Sequence, residues 1–287
     1  MISKLSFKIS NKDSNKSISS FLSAFYLGKE KIYKLELNSC LFINDEKAFT
    51  RSILKENDIL TIIIDEEINV APCGDDLEVV YEDEHFLFVN KPKNMLVHDD
   101  GTKQEITLSN LVAKYYKNKR IHRMVRFSNR LDYETSGIVV FSKNEIAHAY
   151  LDALIRERKV SKKYYAVCYN YFSKKEGSIN QNIARDRHNS QKMIIHKNGK
   201  EAISNFKVIK NGKISLVDVE ILTGRTHQIR VHLAYLNHPL LGDKLYGKED
   251  NYSLMLQAYL FEFKHPFTNQ KLSIRIDLDN NLKNIVK

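Results

Sequence analysis

The alternation of apolar and polar positions divides the chain into a short first stretch and a longer second one. Ser17 stands before Ile18, Phe21, Leu22 and Phe25, the spacing of a serine-capped helix with one apolar face. Ile32, Leu35 and Leu37 predict a second helix. A short strand over residues 40–43, a turn at Asn44-Asp45 and an apolar strand over residues 59–64 complete a compact unit. Pro72 and Gly74 interrupt the pattern between residues 69 and 76, which predicts a joint and divides the chain into 1–70 and 71–287.

Beyond the joint, residues 77–81 and 86–90 read as short strands around an acidic turn. Thr107 is placed to cap a helix carrying Leu108, Leu111, Val112 and Tyr115. An apolar run over residues 138–141 predicts a strand feeding a helix capped by Asn144, with Ile146, Tyr150 and Leu154 on one face. Asn198-Gly199 and Asn211-Gly212 each separate β-rich runs, a strong hairpin signal. Together they predict an antiparallel meander over residues 191–222, where Val217, Val219 and Ile221 alternate with Asp218 and Glu220. Thr226 reads as the N-cap of a helix running to Asn237, with Ile229, Leu233 and Leu236 buried and His227 and Arg230 on a shared neighbouring face. Strands and helices mix without a steady βαβ rhythm, which argues for an α+β fold rather than a doubly wound parallel one.

Composition adds a core and a charge. A chain of 287 residues with 43% hydrophobic side chains can bury a sizeable core, which argues against global disorder. Its 45 Lys/Arg and 35 Asp/Glu give a net charge of +10. The excess is local: residues 1–70 carry 10 basic and 10 acidic groups and residues 71–110 carry 3 and 9, but residues 111–180 carry 15 and 6 and residues 181–287 carry 17 and 10. Such a concentration points to a polyanionic partner, nucleic acid ahead of membrane, against the blander reading of a soluble protein of high pI. Cys40, Cys73 and Cys168 are too widely spaced for a zinc pattern or a disulfide framework, so buried, reduced thiols are expected. With no apolar run of about 18 residues and no signal-peptide core, a soluble cytoplasmic protein without a membrane partner is expected.

Two segments are dense in chemistry. Residues 129–143 read NRLDYETSGIVVFSK, in which Asp132 follows Arg130 and precedes a turn at Thr135, Ser136 and Gly137 and then the apolar strand. A buried strand after an acidic loop can hold a carboxylate at the rim of a cleft, although an Arg-x-Asp turn taken alone is more often a structural ion pair. Residues 222–232 read LTGRTHQIRVH. A helix start with Arg225 and Arg230 favours an anion, either a phosphate or Asp132 itself; an ordinary amphipathic helix with solvated charges is the alternative. His227 and His232 do not share a helix face well, so no metal is expected.

These segments resemble the motifs of the RluA-type pseudouridine synthases. Arg130, Leu131, Asp132, Thr135, Ser136, Gly137 and Lys143 match that family's H-R-L-D-x-x-T-S-G segment and the lysine after its strand, with Asn129 in place of His. Gly224 through His232 match G-R-T-H-Q-I-R-V-H, and His238, Pro239, Gly242, Asp243, Tyr246 and Gly247 match the segment that follows it. Lys91, Pro92 and His98 resemble the first motif. Val160, Lys162, Tyr164 and Ala166 resemble V-x-K-x-Y-x-A, with Cys168 and Asn170 where Val and Gly are usual. Residues 254–267 resemble the closing motif, with Gln257 in place of His. The resemblance covers residues 76–280, with every motif in order.

The resemblance implies the pseudouridine synthase fold, with a mixed, mostly antiparallel central sheet flanked by helices and loops. It implies isomerisation of uridine in structured RNA to pseudouridine, with no cofactor: the C1′–N1 bond breaks, the uracil rotates, and C5 bonds to C1′. It implies Asp132 as the reacting carboxylate, attacking C1′ or taking a proton from C2′, and Arg230 as the cation beside it. Tyr164 becomes the ring stacked on the flipped uracil, worth roughly 1–3 kcal/mol per base, where residue type alone reads a core aromatic. Arg130 is implied to fill the gap left by the extruded base. Lys91, Lys162, Arg225 and His227 are implied to contact RNA, and the basic stretches at residues 117–126 and 156–163 to follow its backbone.

The first unit resembles the small α/β RNA-binding domain of αL type named after ribosomal small-subunit protein four, its usual basic residues thinned to Lys29, Lys31 and Lys34. An interaction domain without an RNA role is the alternative. Large-subunit ribosomal RNA is the expected target and transfer RNA the alternative, for a monomer with no obligate protein partner. A non-catalytic assembly factor would be expected to have lost Asp132, Tyr164 or Arg230, and all three are present. A nuclease pairing His227 with Asp132 would lack a metal cluster.

Overall fold

The computed structural model describes residues 3–99, 101 and 105–285. The first unit comprises β1 (Ser3–Lys8), α1 (Ile18–Ser23), α2 (Lys29–Leu37), β2 (Leu41–Ile43), β3 (Glu46–Lys47) and β4 (Ile59–Ile64), its strands ordered β1-β4-β2-β3. The Ser17 hydroxyl caps α1 by accepting the Ser20 N–H. Asn44 and Asp45, at φ 50° and 67°, turn β2 back into β3. Leu5, Ile18, Leu22, Leu41, Leu54 and Leu60 are fully buried together. On α2, Ile32 is buried and Leu35 packs against this core, but Leu37 is exposed. Two positions beyond Leu35, Leu37 is about 200° round the helix and faces solvent. The strand β1, which residue pattern did not reveal, pairs antiparallel with β4.

The rest of the chain adds β5 (Val79–Glu82), β6 (Phe86–Lys91), α3 (Leu108–Asn118), β7 (Ser136–Ser142), α4 (Glu145–Arg156), β8 (Ser161–Tyr169), β9 (Glu176–Asn180), β10 (Ile183–Arg185), β11 (Met193–Ile195), β12 (Ile203–Lys210), β13 (Ile214–Ile221), α5 (Gln228–Tyr235), β14 (Leu256–Lys264), β15 (Lys271–Arg275) and α6 (Asn280–Ile285). One nine-stranded sheet runs β5-β6-β7-β14-β8-β13-β12-β9, with β15 added to β14. The β7–β14 pair is parallel and its other pairs are antiparallel, so the sheet is mixed and the fold is α+β. Period-two alternation along β6 and β7 supplies both faces. Leu87, Val89, Val139 and Phe141 pack with Leu108, Val112 and Tyr116 of α3, while Phe86, Phe88, Ile138 and Val140 pack with Ala147, Leu151 and Leu154 of α4. The Asn144 side chain caps α4 by accepting the Ala147 N–H.

The two units meet through α4 and the turn after β14. Phe25 stacks on Phe267 at 5.3 Å, and Ile146 joins the core of the first unit. Arg126 bonds both Glu66 and Glu145, and Lys31 pairs with Glu145.

Two expectations need correction. Asn211-Gly212 does join β12 to β13, but Asn198-Gly199 does not continue a meander: β11 pairs with β10, and β12 pairs with β9 and β13. The β9 ladder runs from Ile203↔Asn180 to Lys207↔Glu176 and occupies the edge that β11, three residues long, would have needed. Of the cysteines Cys168 is buried, but Cys40 is half-buried and Cys73 is exposed in the joint. No described helix is long and apolar enough to cross a membrane.

At Gly137, φ is +116° and a Cβ would lie 2.1 Å from the Ala258 carbonyl oxygen. This close approach permits the parallel β7–β14 pairing. Gly137→Ala is expected to destabilise the fold by about 3 kcal/mol, because strain and overpacking add; urea unfolding checks this.

Candidate active site

A cleft of 910 Å³ opens where the loop before β7, the strand β8 and the turn before α5 converge. The loop over residues 129–135 is braced from below. Lys91 is fully buried at the end of β6, and its ammonium donates to the carbonyls of Pro92 (2.9 Å), Met95 (2.8 Å) and Tyr133 (3.1 Å). Burial pushes this ammonium down to about 7, and the nearby charge of Asp132 opposes the shift. The expectation that Lys91 contacts RNA is therefore corrected: two carbonyls of the segment after β6 and one of the loop take all three of its protons. Asn129 ties the same loop to β7, accepting the Val140 N–H at 2.8 Å.

The turn before α5 is equally fixed. The helix begins at Gln228 rather than after Thr226, because His227 adopts a left-handed conformation at φ 54° and occupies the cap position. The Gln228 side chain accepts from the Thr223 hydroxyl and the Arg225 N–H, and donates to the Ile203 carbonyl and the Ser204 hydroxyl. Arg230 then lies one turn into the helix, 3% exposed.

Arg230 was expected to pair with Asp132, but its nearest partner is Asp243. Nε and Nη2 each donate to one Asp243 oxygen at 2.8 Å, a bidentate pair in which the carboxylate is fully buried. Burial works against the guanidinium charge, and Asp243 with Asp132 and Glu134 outweighs it, so Arg230 is held more firmly protonated. The Asp132 carboxylate lies 4.0 Å from Nη1, and that of Glu134 3.9 Å from Nη2. The Tyr246 ring lies 5.3 Å from the guanidinium, and its hydroxyl bonds His227 Nδ1 at 2.8 Å. Burial keeps His227 towards its neutral form, with the charge of Asp132 pulling the other way.

Tyr164 and Lys162 come to the cleft from β8, each 7% exposed. Burial, and behind it the charge of Asp132, raises the Tyr164 hydroxyl and keeps it protonated. Arg130 is exposed at the cleft mouth, and Arg225 lines it while donating through Nε to the Glu201 carbonyl. The structure thus brings together Asp132, Tyr164, Arg230, Arg130, Lys162, Arg225 and His227, and sets Lys91 beneath them.

The basic stretches are less open than expected. Arg126 is committed to Glu66 and Glu145, Arg123 is buried, and Arg156, Arg158 and Lys159 face Asp152, Glu201 and Glu157. Lys117, Lys119 and Arg120 remain exposed. Residue reasoning assigned no role to Asp243, although the Gly-Asp of its motif marked the position; Arg185, delivered to the cleft by β10, carried no signal at all. Among the described residues no cluster of His, Cys, Asp or Glu could hold a metal.

Replacing Asp243 with Asn leaves Arg230 buried without its counter-charge, and the expected cost is about 3–5 kcal/mol of stability. Asp132→Asn, by contrast, leaves the bidentate pair intact and is expected to cost less than about 1 kcal/mol. Paired urea titrations of the two variants check this difference.

The chain is similar in sequence and fold to known proteins. A family profile described as RNA pseudouridylate synthase matches residues 85–235. The chain is 35% identical over 252 residues to the uncharacterised RNA pseudouridine synthase YhcT of Bacillus subtilis, covering 85% of this chain and 83% of that one. It is 33% identical over 250 residues to ribosomal large subunit pseudouridine synthase D of Borreliella burgdorferi, covering 83% and 74%. The structure of human RNA pseudouridylate synthase domain containing 1 superposes with a TM-score of 0.60 at 25% identity, over 72% of this chain and 86% of that one. With this fold and these motifs in order, the chain belongs to the RluA-type RNA pseudouridine synthases, isomerases that convert uridine in RNA to pseudouridine.

Proposed function

We propose that the chain isomerises uridines of large-subunit ribosomal RNA, with Asp132 as the reacting carboxylate. The observation that carries this reading is the position of Asp132 at the cleft rim, 4.0 Å from a buried guanidinium and in the same cleft as the ring of Tyr164. A target base inside folded RNA must be extruded before a protein carboxylate can reach its sugar. An ionised Asp132 oxygen can then attack C1′ or remove the C2′ proton, and both routes use the same charge. Arg230 holds that charge without titrating. Tyr164 offers its ring as the wall on which the extruded uracil stacks, and Arg130 is free to stack in the vacated place.

The target is supported by the name of the Borreliella burgdorferi relative, a ribosomal large subunit pseudouridine synthase, and by exposed cations at the cleft mouth, including Arg130 and Arg185. For residues 1–70 we propose a domain that positions the catalytic part more than it grips RNA. Lys31 and Lys34 face Glu145 and Glu30, while the aromatic contacts of Phe7 and Phe25 reach across to Phe267.

Wild-type protein is expected to release tritium from C5-labelled uridine in ribosomal RNA and not in transfer RNA, and Asp132→Asn is expected to release none. Release from the transfer RNA pool alone would reassign the target. Arg130→Ala is expected to lose far more activity than Lys117→Ala in the same assay; equal losses would remove Arg130 from base extrusion.

A further inference from the structure

We infer that Lys162 is a further catalytic residue, whose ammonium holds the negative charge that uracil acquires as its bond to C1′ breaks. The inference rests on the proposed roles of Asp132 and Tyr164. Lys162 and Tyr164 are two positions apart on β8, so their side chains leave the same face, and both line the cleft with Asp132. Lys162 is 7% exposed, yet among the described residues its ammonium makes no hydrogen bond and no ion pair. Lys91, the other deeply buried lysine of this region, satisfies three carbonyls instead.

With no protein partner, the ammonium is met by water in the cleft, and an occupant that displaces that water must supply a partner in its place. The ionisable groups lining the cleft beside Lys162 are Tyr164 on β8, Arg130, Asp132 and Tyr133 from the loop, His98 and Arg126 from the segments before it, Arg225, His227 and Arg230 from the turn and α5, Arg185 from β10, and His148 and Asp152 from α4. Neither of these carboxylates comes within ion-pair distance of Lys162. Burial alone pushes its ammonium down to about 8. The ammonium lies beside the turn at Gly224, where a Cβ would stand 3.8 Å from Nζ.

The chemistry supplies an anion at this place. When C1′–N1 breaks, the bonding pair leaves with the base, and its charge spreads from N1 onto the O2 and O4 oxygens. A base stacked on Tyr164 presents its edge to the side chains that flank that ring on β8. Lys162 then donates hydrogen bonds to a uracil oxygen while the charge is there. After rotation the pair returns in the new C5–C1′ bond, C5 loses its proton and N1 takes one up, so Lys162 need neither give nor keep a proton. Because the charge develops only as the bond breaks, this contact strengthens in the transition state and raises the rate rather than the affinity.

The test compares full-length wild type with Lys162→Met on an RNA pool that wild type modifies. It reads single-turnover rate at saturating enzyme, Kd across a salt series, and Tm. The variant is expected to slow the single-turnover step about 10²-fold or more. Its Kd should stay within about threefold of wild type, since the contact belongs to the transition state. Its Tm should not fall, because the ammonium makes no bond that holds the fold together. The ammonium is charged below its folded value and neutral above it, so the wild-type rate should fall as pH rises through about 8. That fall should be missing from the residual rate of the variant. An unchanged single-turnover rate overturns the inference; if Kd also weakens and the salt slope flattens, Lys162 is a phosphate contact. A lowered Tm accompanying the slower rate overturns it in favour of a structural role. Release absent from wild type on every pool overturns the reading of the whole cleft, whereas release unaffected by Lys162→Met overturns this inference alone.

Discussion

The bidentate pair between Arg230 and Asp243 is the interaction on which the cleft depends. A guanidinium removed from water is costly unless its donors are met, and here a fully buried carboxylate takes two of them. That carboxylate is itself held by the backbone N–H groups of Leu245 and Tyr246. The pair therefore locks α5 to the segment after it, and the Tyr246 ring supports the guanidinium from the side. What remains of the cation faces Asp132 at 4.0 Å. One guanidinium thus fastens the fold with one edge and sets the field at Asp132 with another.

The surrounding loops are rigid for separate physical reasons that serve the same end. The Asp132 loop is held by the Lys91 ammonium, by the Asn129 side chain and by the strand that starts at Ser136. Gly137 lets β7 approach β14 closely enough to anchor that strand in the centre of the sheet. On the other side Gln228 bonds its own turn and the neighbouring strand through four contacts. A carboxylate carried on a loop keeps a fixed position when side chains and backbone tie the loop down on both sides in this way.

Gln257, where the family has His, illustrates how a departure can be neutral for the chemistry. Its amide donates to the Asp277 carbonyl and accepts the Asp279 N–H, which ties β14 to the segment before α6. Asn129 likewise spends its side chain on the backbone of β7. Both side chains thus tie down the frame, Asn129 doing so from the wall of the cleft itself.

Local pattern was enough for much of the frame. Alternation in β7 and β13, the caps at Ser17 and Asn144 and the turns at Asn44-Asp45 and Asn211-Gly212 are short-range features, set by backbone geometry and by side chains a few residues apart. Motif spacing likewise marked Asp132, Tyr164 and Arg230, which the fold brings to one cleft. Long-range pairing was not legible, because nothing in residues 183–195 says whether β11 will meet β10 or β12. The use of each charge was not legible either. Lys91, Lys162, Arg126 and Arg130 are equally basic as letters, yet the fold commits Lys91 to carbonyls, Arg126 to Glu66 and Glu145, and leaves Lys162 and Arg130 to the cleft. Sequence by itself determined which chemical groups this chain possesses and where its short-range caps, turns and alternating strands lie. Only the tertiary structure decided which of those groups are already satisfied and which still need a partner, because burial and pairing depend on residues far apart in the chain.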